Sequence, residues 1–250
     1  MARKLIVAGN WKLNGDVDLA QSMLPKINKA IENSPDINCI IYPSFVHLQP
    51  LAELSSNYKN IDIGAQNMSL YTQGAFTGEV SWSMLKSVGI KHVLLGHSER
   101  RSVFCETDEQ IFSKTCLAIE HGFNVTFCVG ETLEQREVGR TMDVVAKQLN
   151  KILSVPAMLQ HITIAYEPVW AIGTGQTASP EQAQDVHRFI RQEIANIDNE
   201  AAERMHILYG GSVNSANARQ LFAQADIDGG LVGGASLKIE DFLGVISCTR

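Results

Sequence analysis

The strongest constraint on the fold is a rhythm in the chain. Short apolar runs recur roughly every thirty residues, the spacing of a strand–helix repeat. They lie at 5–9, 37–42, 61–65, 92–96, 125–129, 162–167, 207–209 and 230–232. Most are continuously apolar rather than alternating, as parallel strands covered on both faces must be. The segments between them read as amphipathic helices. Ala20, Met23, Leu24, Ile27 and Ile31 share one helical face. Thr107 with Gln110, and Ser179 with Gln182, form capping boxes, the second with Pro180 at the first helical position. Behind the second, Ala183, Val186, Ile190, Ile194 and Ile197 make an apolar stripe. This repeat predicts an α/β chain closed into a (β/α)8 barrel, although an open doubly wound sheet reads the same strand by strand. No linker, low-complexity stretch or charge run divides residues 1–250, so one domain is expected.

Composition excludes several functions. The chain is 45% hydrophobic and 19% charged, enough to fill a core without covalent staples. The net charge is -6, and no run of basic residues exceeds Arg100 and Arg101, which argues against nucleic acid. An acidic chain can still hold a phosphate on backbone amides. The five cysteines are odd in number and lack C-x-x-C spacing, so reduced thiols in a cytoplasm are expected. The apolar run near the N-terminus is too short for a signal peptide or a membrane span. His47, His92, His121, His161, His187 and His206 show no metal-ligand spacing, so no metal is expected.

Polar residues collect just after the apolar runs: Asn10 and Lys12, Gln66 and Asn67, His97 to Arg101, Glu167, Gly210 to Ser212, Gly233 and Gly234. In a parallel barrel these positions meet on one rim, where such folds keep active sites. Glu167 would sit against apolar walls that raise its pKa toward a general base; alone, it could equally be a rim glutamate paired to a lysine. After it come Pro168, Val169, Trp170, Ala171, Ile172, Gly173, Thr174 and Gly175. Their apolar tip reads as a lid that excludes water, against the plainer reading of a Trp packed under a neighbouring loop. Residues 173–178 also satisfy G-x-G-x-x-A. That fingerprint must join a strand directly to its helix, and here five residues intervene, so a dinucleotide site is rejected. His97 could shuttle a proton or polarise a carbonyl, or be structural. A helix starting at Ser98 would keep its ring neutral. Lys12 offers a fixed positive charge to an oxyanion, or is a surface lysine, with Glu99 close enough to orient and offset it. The glycine-rich turns at 209–212 and 229–236 read as a phosphate grip on main-chain amides, or as two tight turns.

Five blocks resemble the triosephosphate isomerase family, in the family's order and across nearly the whole chain. They are Gly9, Asn10, Trp11, Lys12; Gly74 to Glu79; Gly96 to Arg101; Ala165 to Gly175; and Tyr209 to Asn214. The resemblance implies a cofactor-free interconversion of dihydroxyacetone phosphate and glyceraldehyde 3-phosphate. Its acid/base assignment is an established example of pKa tuning, not a derivation from these residues. Glu167 would be the base, neutral His97 the proton shuttle, and Lys12 and Asn10 the oxyanion stabilisers. Amides near Gly173, Ser212, Gly233 and Gly234 would hold the phosphate, and Tyr209 and Ser212 would latch the lid. The family is usually a homodimer; segment 66–79, from Gln66 to Glu79, would carry Thr77 to the partner's Asn10 and Lys12. Arg100 and Glu106 resemble a structural pair behind the site, and Cys128 matches a buried rim cysteine. Cys105 departs from the family, which often has glycine there. Two alternatives remain: another phosphosugar isomerase or aldolase barrel, and a surface-binding protein that keeps the fold. A Schiff-base aldolase needs a lysine within the strands, and the runs above contain none.

Overall fold

A computed structural model describes residues 3–173 and 177–248. The strands are β1 Leu5–Asn10, β2 Ile37–Tyr42, β3 Ile61–Ala65, β4 His92–Leu95, β5 Asn124–Val129, β6 Ile162–Tyr166, β7 Ile207–Tyr209 and β8 Gly229–Val232. They pair in sequence order, and β8 returns to β1, closing a barrel. Every pairing is parallel. Closure settles the choice left open by periodicity: an open sheet would leave two edges.

Strand ends differ from the apolar runs where backbone geometry intervenes. β4 stops at Leu95 because Gly96 takes a positive φ of 75° and turns the chain toward the barrel mouth. β6 stops at Tyr166, which leaves Glu167 as the first residue past the strand.

The apolar residues form two layers. One fills the space between strands and helices. The other lies inside the barrel: Ile6, Ala8, Ile40, Tyr42, Leu94, Cys128, Ala165, Leu208 and Leu231. The Tyr42 ring leaves no room for a side chain at position 64, so Gly64 is needed there, and the Tyr42 hydroxyl bonds the Thr126 hydroxyl across the barrel at 2.8 Å.

The helices follow their sequence signals. In helix Val17–Ile31 the buried residues are Ala20, Met23, Leu24, Ile27 and Ile31, the four larger ones each contributing roughly 1.5–3 kcal/mol by leaving water. Asp16 caps it by accepting the Leu19 N–H at 2.7 Å. Both expected capping boxes are formed, and a third, Thr132 with Gln135, opens helix Leu133–Glu137. The stripe behind Ser179 is buried as far as Ile194. Helix Pro180–Ala195 ends before Ile197, which is exposed.

Cys105 is exposed and holds a φ of 56°, a left-handed conformation that an L-residue adopts at a cost of about 1–2 kcal/mol. Glycine removes that cost but loses more entropy on folding. Cys105→Gly is therefore expected to stabilise the fold by about 0.5–1 kcal/mol without altering turnover. A urea midpoint unchanged or lower in the variant would contradict this.

Candidate active site

Lys12 is placed by a strained backbone. It sits two residues past β1 with a φ of 53°, a conformation worth about 1–3 kcal/mol of strain. Three contacts hold it: Asn10 Oδ1 accepts the Lys12 N–H at 3.0 Å, and the Lys12 carbonyl accepts from Gln66 Nε2 at 2.8 Å and Ser44 Oγ at 3.1 Å. The ammonium then reaches Glu99 Oε1 at 2.6 Å, the pairing expected from their shared rim.

His97 caps the short helix Ser98–Ser102. Its Nδ1 accepts the Glu99 N–H at 3.2 Å, while Nε2 lies 2.9 Å from Glu167 Oε1. Two effects on the ring oppose each other. Burial lowers its pKa, and the Glu167 carboxylate more than reverses this, raising it above the ordinary value. The contact with the Glu99 N–H suits a neutral ring with its proton on Nε2, while the Glu167 and Glu99 carboxylates favour the charged form.

Glu167 is buried, and Oε2 accepts the Ser98 N–H at 2.9 Å. Here the structure corrects the sequence reading. Burial does push the carboxyl pKa up, but the His97 ring, the Ser98 amide and Lys12 outweigh it and hold the pKa below its ordinary value. Apolar walls alone do not set its basicity. Replacing His97 by Gln is expected to raise the Glu167 pKa, because the ring's pull is lost while burial stays. A lowered folded-state pKa contributes stability above the unfolded value, lost as pH falls through the folded one. In His97→Gln that loss begins at higher pH. A carbon-13 titration of the Glu167 carboxyl showing no upward shift would refute the assignment.

Two glycines hold Glu167 from either side. A Cβ on Gly130 would overlap the Glu167 carbonyl, and one on Gly210 would press on its Cγ. The carboxylate faces a hollow of about 280 Å³ that Asn10, Lys12, His97, Gly173, Ser212, Gly233 and Gly234 also line. Gly234 opens the turn Gly234–Leu237, and a Cβ there would meet nothing. A larger hollow of about 620 Å³ lies beside β3 and β4, lined by Asp62, Lys91 and His92, and shares none of these rim residues. The chemistry collects in the smaller one. Among the described residues, no three His, Cys, Asp or Glu side chains converge as a metal site, and no helix is long and apolar enough to cross a membrane.

The segment after Glu167 also needs correction. Val169–Ala171 form a helical turn in which Ala171 is buried and Trp170 half-buried. The Trp170 indole donates to Glu131 Oε1 at 3.0 Å, and the Arg136 guanidinium lies 4.5 Å over its ring. Trp170 is therefore docked on the neighbouring loop, not an exposed tip. The cause is Glu131, a fully buried carboxylate that must gather donors; Tyr166 donates a hydroxyl to it as well. Ile172 and Gly173 line the hollow, Pro168 is buried beside Gly211, and Thr174 and Gly175 lie outside the described residues. Among the described residues the buried Tyr209 hydroxyl has no well-formed hydrogen bond, and burial pushes its pKa up to about 12. The Ser212 carbonyl accepts from Asn217 Nδ2 at 2.9 Å.

Residues 71–79 are all exposed, Thr77 and Glu79 among them, with Tyr71 and Phe76 stacked at 3.6 Å. Arg100 pairs with Glu106 at 2.7 Å, as the resemblance implied. The sequence reading missed Lys114, a buried lysine that bonds Glu106 at 2.6 Å and Asn67 Oδ1 at 2.9 Å. It also missed Glu131 and the Ser98 amide. Nothing local distinguishes these groups from ordinary helix and loop residues.

With this geometry in hand, the comparisons agree. A family profile described as triosephosphate isomerase matches residues 5–249. The chain is 47% identical over 250 residues to the triosephosphate isomerase of Alkalilimnicola ehrlichii, covering 99% of each chain. It is 50% identical over 247 residues to that of Ralstonia nicotianae, and 47% identical over 247 residues to that of Bacteroides fragilis, covering 98% of each chain in both cases. A barrel whose carboxylate, imidazole and ammonium share one mouth thus has relatives along its whole length, and the chain belongs to the triosephosphate isomerase family.

Proposed function

We propose that this protein interconverts dihydroxyacetone phosphate and D-glyceraldehyde 3-phosphate by proton transfer through an enediol(ate). The observation that carries the reading is the single hollow shared by Glu167, His97 and Lys12. Glu167 removes a proton from the carbon beside the carbonyl and returns it to the neighbouring carbon. His97 presents its Nε2 proton to the oxygens and shuttles protons between them. Lys12 and Asn10 stabilise the developing oxyanion, and Glu99 orients Lys12. Amides near Gly173, Ser212, Gly233 and Gly234 take the phosphate.

In the resting geometry both Glu167 oxygens are engaged, one by His97 and one by Ser98. To reach a carbon atom the carboxylate leaves those contacts. It then loses the groups that lower its pKa while burial persists, so it becomes more basic as the reaction needs it. Residues 168–175 act as the lid that keeps water from the enediolate, latched by Tyr209 and Ser212. The buried Tyr209 hydroxyl beside the Ala178 backbone supports that latch.

The same reading includes a homodimer. The exposed segment 71–79 carries Thr77, and a hollow of about 240 Å³ lined by Asn10, Lys12, Gln66 and Phe104 offers a place for it. Leu13, Val46, Val103 and Phe104 are exposed apolar side chains that a partner would cover. A monomer by light scattering would exclude this part. The cysteines are all unpaired, which supports a reducing, cytoplasmic setting.

The test is a coupled assay with glyceraldehyde 3-phosphate, in which a dehydrogenase reports the dihydroxyacetone phosphate formed and the isomerase receives no metal or nucleotide of its own. Saturable turnover is expected. Absence of turnover with phosphate binding intact would favour a binding protein on the same fold.

A further inference from the structure

We infer that Gln148 is a positioning residue for the Glu167 carboxylate, acting through the peptide of Gly130; the inference rests on Glu167 being the base.

Gly130 is the first residue beyond β5, at a gap in the sheet. On the β4 side the ladder stops at Leu95 opposite Phe127. On the β6 side it runs to Val129 opposite Tyr166, with one more bond from the Glu167 N–H to the Val129 carbonyl at 2.7 Å. The N–H and C=O of Gly130 therefore have no strand to pair with. Gln148, on helix Thr141–Leu153, supplies the missing neighbour. Its Oε1 accepts the Gly130 N–H at 2.7 Å, and its Nε2 donates to the Gly130 carbonyl at 3.1 Å. One side-chain amide thus reproduces both bonds of a strand partner. The helix that carries it is held to the barrel by buried Val145, Leu149, Ile152 and Leu153.

What Gly130 supports is the main chain of Glu167. The two backbones touch so closely that no Cβ fits between them. On the opposite side, Gly210 lies against the Glu167 side chain and is fixed by its own N–H bond to the Tyr166 carbonyl at 2.7 Å. Glu167 is therefore clamped between two glycine backbones. One is secured by the sheet; the other, among the described residues, is secured by Gln148. Glu131, which follows Gly130, carries the bonds to Tyr166 and Trp170 on either side of Glu167, so a shift of the 130–131 segment moves the base from both ends.

Geometry of this kind governs the proton transfer more than binding. A displacement near 1 Å can cost about a hundredfold in rate, whereas the phosphate grip lies on the loops after β7 and β8. Gln148→Leu keeps the side-chain volume and removes both hydrogen bonds. Gln148→Glu keeps the acceptor for the Gly130 N–H but donates to the carbonyl only when protonated.

The experiment measures kcat and KM for glyceraldehyde 3-phosphate and inhibition by inorganic phosphate, in the full-length wild type and both variants. Gln148→Leu is expected to lower kcat about 10- to 100-fold, with KM and the phosphate inhibition constant within about twofold of wild type. Gln148→Glu is expected to fall between them, and its rate relative to wild type to rise as pH falls toward the carboxyl range. A folded Gln148→Leu with wild-type kcat overturns the inference, as does a loss of phosphate affinity in step with kcat. If Gln148→Leu fails to fold, Gln148→Glu decides on its pH-dependent ratio: a flat ratio overturns the inference. A wild type without turnover sinks the isomerase reading itself, whereas an active wild type with unaffected variants sinks only the role of Gln148.

Discussion

Glu167→Gln is expected to lower turnover by about three to four orders of magnitude and leave the affinity for a phosphate analogue nearly unchanged. The substitution is close to isosteric. Its carbonyl oxygen can still accept the Ser98 N–H that Glu167 accepts at 2.9 Å, while its NH2 faces the His97 nitrogen and gives up that contact. What is lost is the capacity to take a proton from carbon. The proposed anion grip at Ser212, Gly233 and Gly234 lines the same hollow but keeps its own backbone, which the substitution does not touch. Glu167→Asp tests the same claim through geometry. Gly130 and Gly210 fix the main chain from both sides, so the shorter side chain cannot be compensated by a backbone shift. Retreat by about 1 Å should then cost about a hundredfold. Both variants are read by steady-state kcat together with inhibition by inorganic phosphate. Near-normal kcat in Glu167→Gln would move the base to another residue.

How far the site was legible depends on how far each group's partner lies along the chain. The apolar face of helix Val17–Ile31 is a property of one segment, and its buried residues are those the spacing predicts. Convergence of Asn10, Lys12, His97 and Glu167 on one mouth was also legible, because parallel strand–helix repeats send every strand's C-terminal end the same way. The protonation behaviour of Glu167 was not. It is set by the Ser98 amide, 69 residues away, and by a His97 ring that donates to it. The burial of Glu167 past an apolar strand was legible, but the sequence carried no sign of those donors. Trp170 repeats the lesson: its apolar neighbours suggested an exposed tip, while its indole answers a buried carboxylate 39 residues away. Gly96 illustrates a different limit. The apolar run continued through it, yet only its positive φ shows where β4 ends and the turn to His97 begins.

Arg191→Ala is expected to destabilise the fold by about 3–5 kcal/mol while leaving the active-site geometry untouched. Arg191 lies on helix Pro180–Ala195 and binds two carboxylates, Asp226 Oδ1 at 2.6 Å and Asp228 Oδ2 at 2.6 Å. It also donates to the carbonyls of Ala202 at 2.6 Å and Met205 at 3.1 Å. Asp228 in turn accepts the Ile207 N–H at 2.9 Å, where β7 begins, and Arg3 Nε at 2.6 Å, just before β1. One guanidinium thus ties a helix, the start of β7, the approach to β8 and the N-terminal segment together. The pair is well shielded, with side-chain exposures of 14% for Arg191 and 6% for Asp228. Truncation leaves shielded carboxylates and carbonyls short of donors, which costs far more than loss of a surface ion pair. For a domain of this size, about 2–4 °C per kcal/mol places the fall in melting temperature at roughly 6–20 °C. Arg191→Lys should recover part of the loss, since an ammonium keeps the charge but lacks the planar fork that meets two carboxylates at once. These contacts lie at the N-terminal ends of β7 and β8, the face opposite the mouth, so kcat measured well below the transition should stay near wild type. A melting point within about 2 °C of wild type would mean that water satisfies the stranded carboxylates. A fall in kcat with the fold intact would mean that the two faces of the barrel are coupled rather than separate.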